Sequence, residues 1–188
     1  MALAPNGARV LSSLGFSFER ARACRMQVWE TCNGITLERI SSVSLEDAEE
    51  RFGAFLWAVH RIDLHNELLR LALEGHGAAT LRLSAGVVKV SSEAGTVELS
   101  DGSSHQADLV VAADGLHSIV RTMVTGKQAT SVGTSMSAFR FLLPTELLQR
   151  NPELCELLDW KARGASILAD TADTLNERHM VWYDCQRY

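Results

Sequence analysis

The chain has 188 residues, with 18 lysines and arginines against 23 aspartates and glutamates, so its formal net charge at pH 7 is −5. This acidic balance without a basic tract argues against nucleic-acid binding, and a hydrophobic content of 46% with only three prolines argues against disorder. Apolar runs stay far below the ~20 residues of a membrane-spanning helix, and the N-terminus lacks a secretion-signal pattern, so we expect no membrane span and a cytoplasmic location.

The first predicted elements are a helix over residues 5–14 and two strands over residues 24–30 and 35–40, with Asn33-Gly34 as their hairpin turn. Residues 46–52 are rich in charge and predict an exposed helical turn.

A longer helix is predicted after Val59. Asp63 can occupy its N-terminal turn, where a carboxylate is favourable, and Leu64, Leu68 and Leu71 form an apolar stripe at helical spacing.

Residues 80–99 predict three short strands of an antiparallel meander, with turns at residues 93–95 and at Asp101-Gly102. Residues 109–113 then form an apolar run without polar alternation, which is typical of a central parallel strand buried on both faces.

The apolar run ends at Asp114-Gly115, which a helix is predicted to follow. An open α/β sheet binds its ligand beyond the carboxyl ends of its strands, where glycine lets a ligand approach the backbone and aspartate offers a fixed acceptor. This position predicts a nucleotide site. The alternative is an ordinary strand-turn-helix connection, because Asp-Gly is a common turn dipeptide.

The pattern loosens at residues 124–127, which we take as a domain boundary. A strand carrying Arg140 is predicted over residues 135–144, followed by a helix that Thr145 can cap. Pro152 begins another short helix after Asn151. Residues 179–185, with Tyr183, predict a further strand.

The cysteines and histidines carry no metal-binding pattern. The four cysteines lie far apart without a C-x-x-C pair, and His60 and His65 are off the same-face spacing of a helical site. We therefore predict no metal site and free buried thiols, and no pattern indicates an oligomeric state.

Two motifs in order resemble those of FAD-dependent aromatic-ring hydroxylases, which are single-component flavoprotein monooxygenases similar to salicylate and p-hydroxybenzoate hydroxylases. Residues 107–121, A-D-L-V-V-A-A-D-G-L-H-S-I-V-R, resemble their Asp-Gly fingerprint, and residues 60–64, H-R-I-D-L, resemble their HRxDL entry into a helix. The resemblance implies FAD contacts by Arg61, Asp114 and Gly115. A guanidinium suits phosphate because it donates two parallel hydrogen bonds. The alternative for Arg61 is an ordinary surface arginine.

The segments around Arg140 and Tyr183 resemble the "A-F/Y-R" and "V-x-Y-x-C-R" strands of the substrate domain of this family. In fungal-type phenol-hydroxylating relatives this pair handles the substrate, so the resemblance implies those catalytic roles for Arg140 and Tyr183. Gln186 stands where the family has arginine. The alternatives are a strand-edge arginine and a half-buried strand aromatic.

The resemblance implies an α/β fold with a partial doubly wound, Rossmann-like FAD-binding sheet, a β-meander and part of a substrate-domain mixed sheet. We divide it into residues 1–125, a partial FAD-binding domain, and residues 126–188, a partial substrate-binding domain. The implied activity is NAD(P)H- and FAD-dependent hydroxylation of a small aromatic or phenolic substrate, such as a secondary metabolite, through a flavin C4a-hydroperoxide.

The family's Gly-x-Gly-x-x-Gly turn and its later Gly-Asp motif are not among the 188 residues, and residues 4–15 resemble the helix that follows the glycine turn. We therefore expect a central piece of the family architecture that holds FAD poorly. The alternative, from a different functional class, is an inactive, cofactor-free remnant or an accessory binding protein.

Overall fold

The computed structural model describes residues 1–74, 79–127, 132–134, 136–155, 164–173 and 178–186. The chain divides into two compact units. The first unit comprises Met1–Ala79 and Leu142–Tyr188, and the second comprises Thr80–Phe141. The division at residue 125 proposed from the sequence stays a prediction about the domains.

The helices and strands follow one another along the chain in a mixed α/β order. They are β1 (Ala2–Leu3), α1 (Pro5–Ser13), β2 (Cys24–Arg25), β3 (Val28–Asn33), β4 (Arg39–Ser44), α2 (Ala48–Phe52), β5 (Trp57–Ala58), α3 (Arg61–Glu74), β6 (Val87–Ser91), β7 (Thr96–Leu99), β8 (Ser104–Gln106), α4 (Arg121–Thr125), α5 (Thr145–Gln149), β9 (Gly164–Ala169) and β10 (His179–Tyr183). None of the described helices is long and apolar enough to cross a bilayer.

A small sheet in the first unit has the order β1-β5-β2, and both of its outer strands run antiparallel to β5. It adjoins a core of four buried side chains, against which Leu64 and Leu71 of α3 pack; these are Phe16, Ala21, Ala23 and Val59. The predicted first helix is confirmed as α1, with Pro5 in its first turn, where the missing amide hydrogen costs nothing.

The larger sheet of the first unit has the order β10-β9-β3-β4. β3 pairs antiparallel with β4 and parallel with β9, and β9 pairs antiparallel with β10. Gly164 begins β9 because the strands approach closely there: a β-carbon on Gly164 would overlap the carbonyl of Val28. The predicted strand over residues 179–185 is confirmed as β10, whereas β9 was not predicted.

The hairpin of β3 and β4 exists, but its predicted strand bounds and two-residue turn are wrong. β3 continues to Asn33, whose side-chain Oδ1 accepts hydrogen bonds from the amides of Ile35 and Thr36 at 2.8 and 3.0 Å. This local bonding holds residues 34–38 in the turn, so β4 begins only at Arg39.

The second unit contains the predicted antiparallel meander, in the order β6-β7-β8. Gly95 and Gly102 stand in its two predicted turns with φ of 61° and 82°, where glycine is favoured. The third strand follows the second turn, so it lies beyond the predicted range of residues 80–99.

The predicted buried strand over residues 109–113 is wrong. These residues form no strand, and Leu109 and Val111 are 79% and 78% exposed. An apolar run becomes a central strand only when neighbouring strands pair with its backbone and other elements cover its faces. The described residues supply neither, so the parallel strand pair that they contain is β3 with β9.

The predicted strand over residues 135–144 is also wrong over residues 136–144, which are irregular, with Phe139 94% exposed; Ser135 lies outside the described residues. Thr145 does not cap α5, because it is the first helical residue and Pro144 occupies the cap position. Asn151 does cap the next turn, since its Oδ1 accepts from the amides of Glu153 and Leu154.

Candidate functional site

Arg61 is the first residue of α3, directly after the small sheet. β5 ends at Ala58. The next residue is Val59, which is fully buried, and the helix begins two residues after it. The Arg61 side chain is exposed, and no described residue accepts a hydrogen bond from it. A guanidinium in this setting is available to bind an anion.

Asp63, in the same helical turn, is only 8% exposed and accepts hydrogen bonds on both carboxylate oxygens. Arg22 Nη2 lies 2.7 Å from Oδ1, and Gln186 Nε2 lies 2.8 Å from Oδ2. His60 Nδ1 stands 3.8 Å from Oδ2. The sequence predicts Asp63 in the first turn of the helix, but no sequence signal indicates Arg22 or Gln186 as its partner.

Glu67, one turn further along α3, is a second buried carboxylate. It receives two hydrogen bonds from Arg70, at 2.8 and 2.9 Å, and one from the amide of Ser17 at 3.2 Å. The bonds from Arg70 lower the pKa of the Glu67 carboxyl despite its burial. Leu68 is 39% exposed, so the predicted apolar stripe is wrong at that position, and the face that packs inward carries Glu67 between Leu64 and Leu71.

The Asp-Gly segment of the second unit satisfies its polar groups locally. Asp114 Oδ2 accepts from the amides of Ile119 and Val120 at 2.9 and 3.5 Å. The hydrogen bond from Ser118 lowers the pKa of the Asp114 carboxyl, and the backbone amides contribute to the same shift. Arg121 Nη2 donates to the carbonyl of Gly115 at 2.8 Å, so the segment closes on itself before α4.

Gly115 has a φ of 76°, a conformation that side chains with a β-carbon rarely adopt. A β-carbon there would meet no atom of the described residues within 4 Å, so the glycine is needed for its backbone angle, and these residues leave the space in front of it open. The local bonding fits the turn interpretation of Asp114-Gly115, and the open space fits a ligand. The structure is compatible with both.

Tyr183 and Arg140 belong to different units. Tyr183 ends β10 opposite Ala165, and it is half-buried against the cluster of Met26, Ala58 and Ala165. Arg140 is exposed in an irregular segment, where no described residue accepts a hydrogen bond from it. Arg61 shares the first unit with Tyr183, and Asp114 and Gly115 share the second with Arg140.

Comparison with known proteins finds relatives that are named as hydroxylases and monooxygenases. Hispidin-3-hydroxylase of Neonothopanus nambi is 32% identical over 172 residues, which are 90% of this chain and 40% of that protein. The FAD-dependent monooxygenase phomE' of Diaporthe leptostromiformis is 27% identical over 186 residues, 97% of this chain and 46% of that protein. The chain is homologous to FAD-dependent monooxygenases. It spans less than half the length of these monooxygenase relatives, and no protein-family model matches it.

Solved structures also resemble this chain. HpxO of Klebsiella pneumoniae, determined with FAD and uric acid, matches with a TM-score of 0.57 and 27% identity, over 69% of this chain and 33% of that one. The 2,6-dihydroxypyridine-3-hydroxylase of Arthrobacter nicotinovorans, at 18% identity and a TM-score of 0.55 over 90% of this chain and 38% of that one, shows the fold alone. The resemblance to this monooxygenase family and the α/β class are confirmed. The roles of the five residues singled out from the sequence stay predictions.

No group of three or more histidine, cysteine, aspartate or glutamate side chains suited to a metal ion occurs in the part of the chain that the structure describes. None of the four cysteines forms a disulfide, and Cys32 is the buried one among them, so the predicted burial is wrong for the other three. Burial raises the pKa of the Cys32 thiol, and Glu30 adds to the effect. Burial also raises the pKa of the half-buried Cys185 thiol, with smaller contributions from Asp184 and Asp63. A raised pKa keeps a thiol protonated and unreactive.

Proposed function

We propose that this chain takes part in the FAD-dependent hydroxylation of a small aromatic or phenolic substrate, with NAD(P)H as the electron donor. In net terms, an aromatic C–H, dioxygen, NAD(P)H and a proton give a C–OH, water and NAD(P)⁺. FAD supplies the oxygen-transferring group when it is bound. The observation that carries the proposal is the exposed guanidinium of Arg61, which has no partner among the described residues and lies in a segment that resembles the family's flavin-contacting motif.

The proposed FAD contacts are Arg61, Asp114 and Gly115. Arg61 offers a permanent positive charge and N–H groups that no described residue accepts, which suits the negatively charged parts of the cofactor. Gly115 leaves open space beside the backbone, and Asp114 stays ionised because its hydrogen bonds lower its pKa. These properties support an FAD site, whose assembly the flavin titration below tests.

Substrate handling is proposed for Arg140 and Tyr183. A guanidinium can stabilise a phenolate, and a tyrosine hydroxyl can donate a hydrogen bond to it. The names of the relatives support an aromatic substrate, since they include a hispidin hydroxylase and, in Streptomyces cremeus, a 3-amino-4-hydroxybenzoate 2-monooxygenase that is 31% identical over 174 residues, 88% of this chain and 41% of that protein. A cytoplasmic location, expected from the sequence, stays a proposal.

The flavin contact is tested by titrating the chain and FAD and following flavin fluorescence. We expect Arg61→Ala to weaken FAD binding about tenfold or more, because a lost charged hydrogen bond costs roughly 1.5–3 kcal/mol. Arg150→Ala is the matched control, since Arg150 is an exposed arginine at the end of α5, and it should leave the affinity unchanged. Equal affinities for the chain and for Arg61→Ala would refute the assignment.

The substrate assignment is tested by separating hydroxylation from cofactor binding. Arg140→Ala should abolish product formation from a phenol, measured by mass spectrometry alongside NAD(P)H oxidation, and should leave FAD affinity unchanged. If Arg140→Ala instead loses flavin to the same extent as Arg61→Ala, Arg140 belongs to the cofactor site.

A second candidate function is that of a cofactor-free accessory protein. It is favoured by the exposed apolar side chains of the second unit, among them Leu109, Val111 and Phe139, because large exposed apolar patches mark interaction surfaces. This candidate predicts that neither the chain nor any arginine variant binds FAD in the same titration.

A further inference from the structure

The carboxylate of Asp63 joins three parts of the first unit that are distant in sequence. Arg22 belongs to the loop between α1 and β2, Asp63 to the first turn of α3, and Gln186 to the segment that follows β10. Both carboxylate oxygens are occupied, at 2.7 and 2.8 Å, and the side chain is 8% exposed. Charge-assisted bonds to a buried carboxylate fix the positions of the groups that they connect, even where the donor is itself partly exposed, as Arg22 is.

The loop that provides Arg22 is itself held in an unusual conformation. Arg22 has a φ of 50°, a left-handed angle that costs energy for a residue with a β-carbon. Ala21 and Ala23, the neighbours of Arg22 in the chain, are buried in the same core as Val59. Val59 lies two residues before Arg61, where α3 begins. Backbone strain of this kind persists only where the surroundings enforce it, and here the Asp63 carboxylate and the core hold Arg22 in place.

Two residues singled out for function lie beside this carboxylate along the chain. Arg61 precedes Asp63 in the same helical turn, and Tyr183 precedes Gln186 at the end of β10. A shift of Asp63 would therefore move the start of α3, and a loss of the Gln186 bond would release the segment that anchors the end of β10.

We propose that Asp63 is a positioning residue, which holds Arg61 and the end of β10 in one fixed arrangement. The inference rests on the proposed function, in which Arg61 contacts the flavin and Tyr183 contacts the substrate. Asp63 itself touches neither ligand. Through its bonds to Arg22 and Gln186, Asp63 keeps the positions of the flavin-contacting Arg61 and the substrate-handling Tyr183 fixed relative to each other.

The chemistry requires a carboxylate at this position. Asparagine has the same shape but offers one acceptor oxygen and one amide group, so Arg22, which only donates, takes the oxygen, and Gln186 keeps a bond only by turning its amide so that its own oxygen accepts. Asp63→Asn therefore removes the charge from both connections and weakens them without removing packing, whereas the loss of the Gln186 bond is complete in the next variant. Gln186→Met keeps the length of its side chain and removes only the bond to Asp63.

The first measurement uses the half-buried thiol of Cys185, which is adjacent to Gln186. Alkylation under native conditions, resolved by site with mass spectrometry, should be about fivefold or more faster at Cys185 in Gln186→Met, which removes the bond that holds the segment, and should also be faster, by a smaller factor, in Asp63→Asn, which weakens it. Cys155 serves as the internal reference. Gln186→Met retains the Asp63 charge, so faster labelling in that variant reports release of the segment and not a changed thiol pKa.

The matched control is Asp47→Asn, which alters an exposed aspartate paired with Arg51 at 3.6 Å. It should change the labelling of neither cysteine. Unchanged labelling of Cys185 in Gln186→Met would overturn the inference, and this variant stays informative even if Asp63→Asn fails to fold.

The second measurement asks whether Asp63 acts through Arg61. In the flavin titration, Asp63→Asn should weaken FAD binding about fivefold in the otherwise unchanged chain and should have no further effect in an Arg61→Ala background. Additive losses would mean that Asp63 does not position Arg61, and the inference would fail. If no variant binds FAD, the proposed function fails, and labelling of Cys185 alone decides whether Asp63 holds the segment.

Discussion

The start of α3 and the Asp-Gly segment are the two regions that the sequence marks as flavin contacts, and they are built in opposite ways. Around α3, the carboxylates of Asp63 and Glu67 are buried, and partners such as Ser17 and Gln186 come from distant parts of the chain. In the Asp-Gly segment, Asp114 is bonded within six residues of itself, and the neighbouring apolar side chains are exposed. The first region depends on the folded unit, whereas the second depends on its own local sequence.

This difference predicts how damage spreads. A change at a buried carboxylate of α3 should lower the stability of the whole first unit, because it leaves charged or polar groups without partners in the core. A change in the Asp-Gly segment should alter only its own residues. Three experiments, ordered by expected effect, test this contrast.

The largest effect is expected for Glu67→Gln. The substitution removes the charge that pairs with Arg70 and replaces one acceptor with a donor, so we expect a loss of about 3 kcal/mol in the free energy of unfolding. Urea denaturation followed by circular dichroism measures it. Glu74→Gln is the control, because Glu74 also contacts Arg70, at 3.4 Å, but is 66% exposed; it should cost less than about 0.5 kcal/mol. Similar losses in the two variants would remove the contrast.

A smaller effect is expected for Gly115→Ala. The left-handed backbone angle disfavours alanine by roughly 1–2 kcal/mol, and the cost should appear as faster hydrogen exchange of residues 118–121 only. Gly7→Ala is the opposing control, since Gly7 lies within α1 with nothing near its missing β-carbon; it should stabilise the helix by about 0.4–1 kcal/mol. Faster exchange throughout the first unit in Gly115→Ala would show that the two regions are not independent.

The smallest effect concerns pH. Hydrogen bonds, the one from Ser118 foremost, lower the pKa of Asp114, so the stabilisation is present above the pKa of the unfolded chain and disappears as pH falls through the lower folded value. The amide resonance of Ile119, which donates to Asp114, should titrate with a midpoint below the ordinary aspartate value of about 3.9. In Asp114→Asn this titration should vanish. A midpoint at or above the ordinary value would contradict the hydrogen-bonding scheme.

The sequence predicts what local signals encode. Pro5 at a helix start, the glycines of the meander turns and the apolar spacing of α3 identify elements that form from neighbouring residues. The predicted strand over residues 109–113 does not form, because apolarity reports a preference for burial and not the presence of a neighbouring strand.

The candidate site, like the fold, is predictable from the sequence only where local signals encode it. Arg61, Asp114 and Gly115 stand out through motif resemblance, but the bond from Gln186 to Asp63 connects residues 123 positions apart, and no local pattern reveals it. The sequence does not predict β9, because the strand begins with Gly164, Ala165 and Ser166, which are small and are not the bulky β-branched residues typical of strands. Their small size follows from a contact with β3 that exists only in the folded unit.

The parallel pairing of β3 with β9 also has a consequence for synthesis. During synthesis residues 28–33 can pair with β4 as soon as the hairpin has emerged, but their other edge receives its partner only when residues 164–169 have emerged. Until then an unpaired strand edge is open to other nascent chains, and such edges are where aggregation starts. The efficiency of production should therefore depend on how quickly translation reaches β9, and slow codons between the two strands should lower the yield of folded protein.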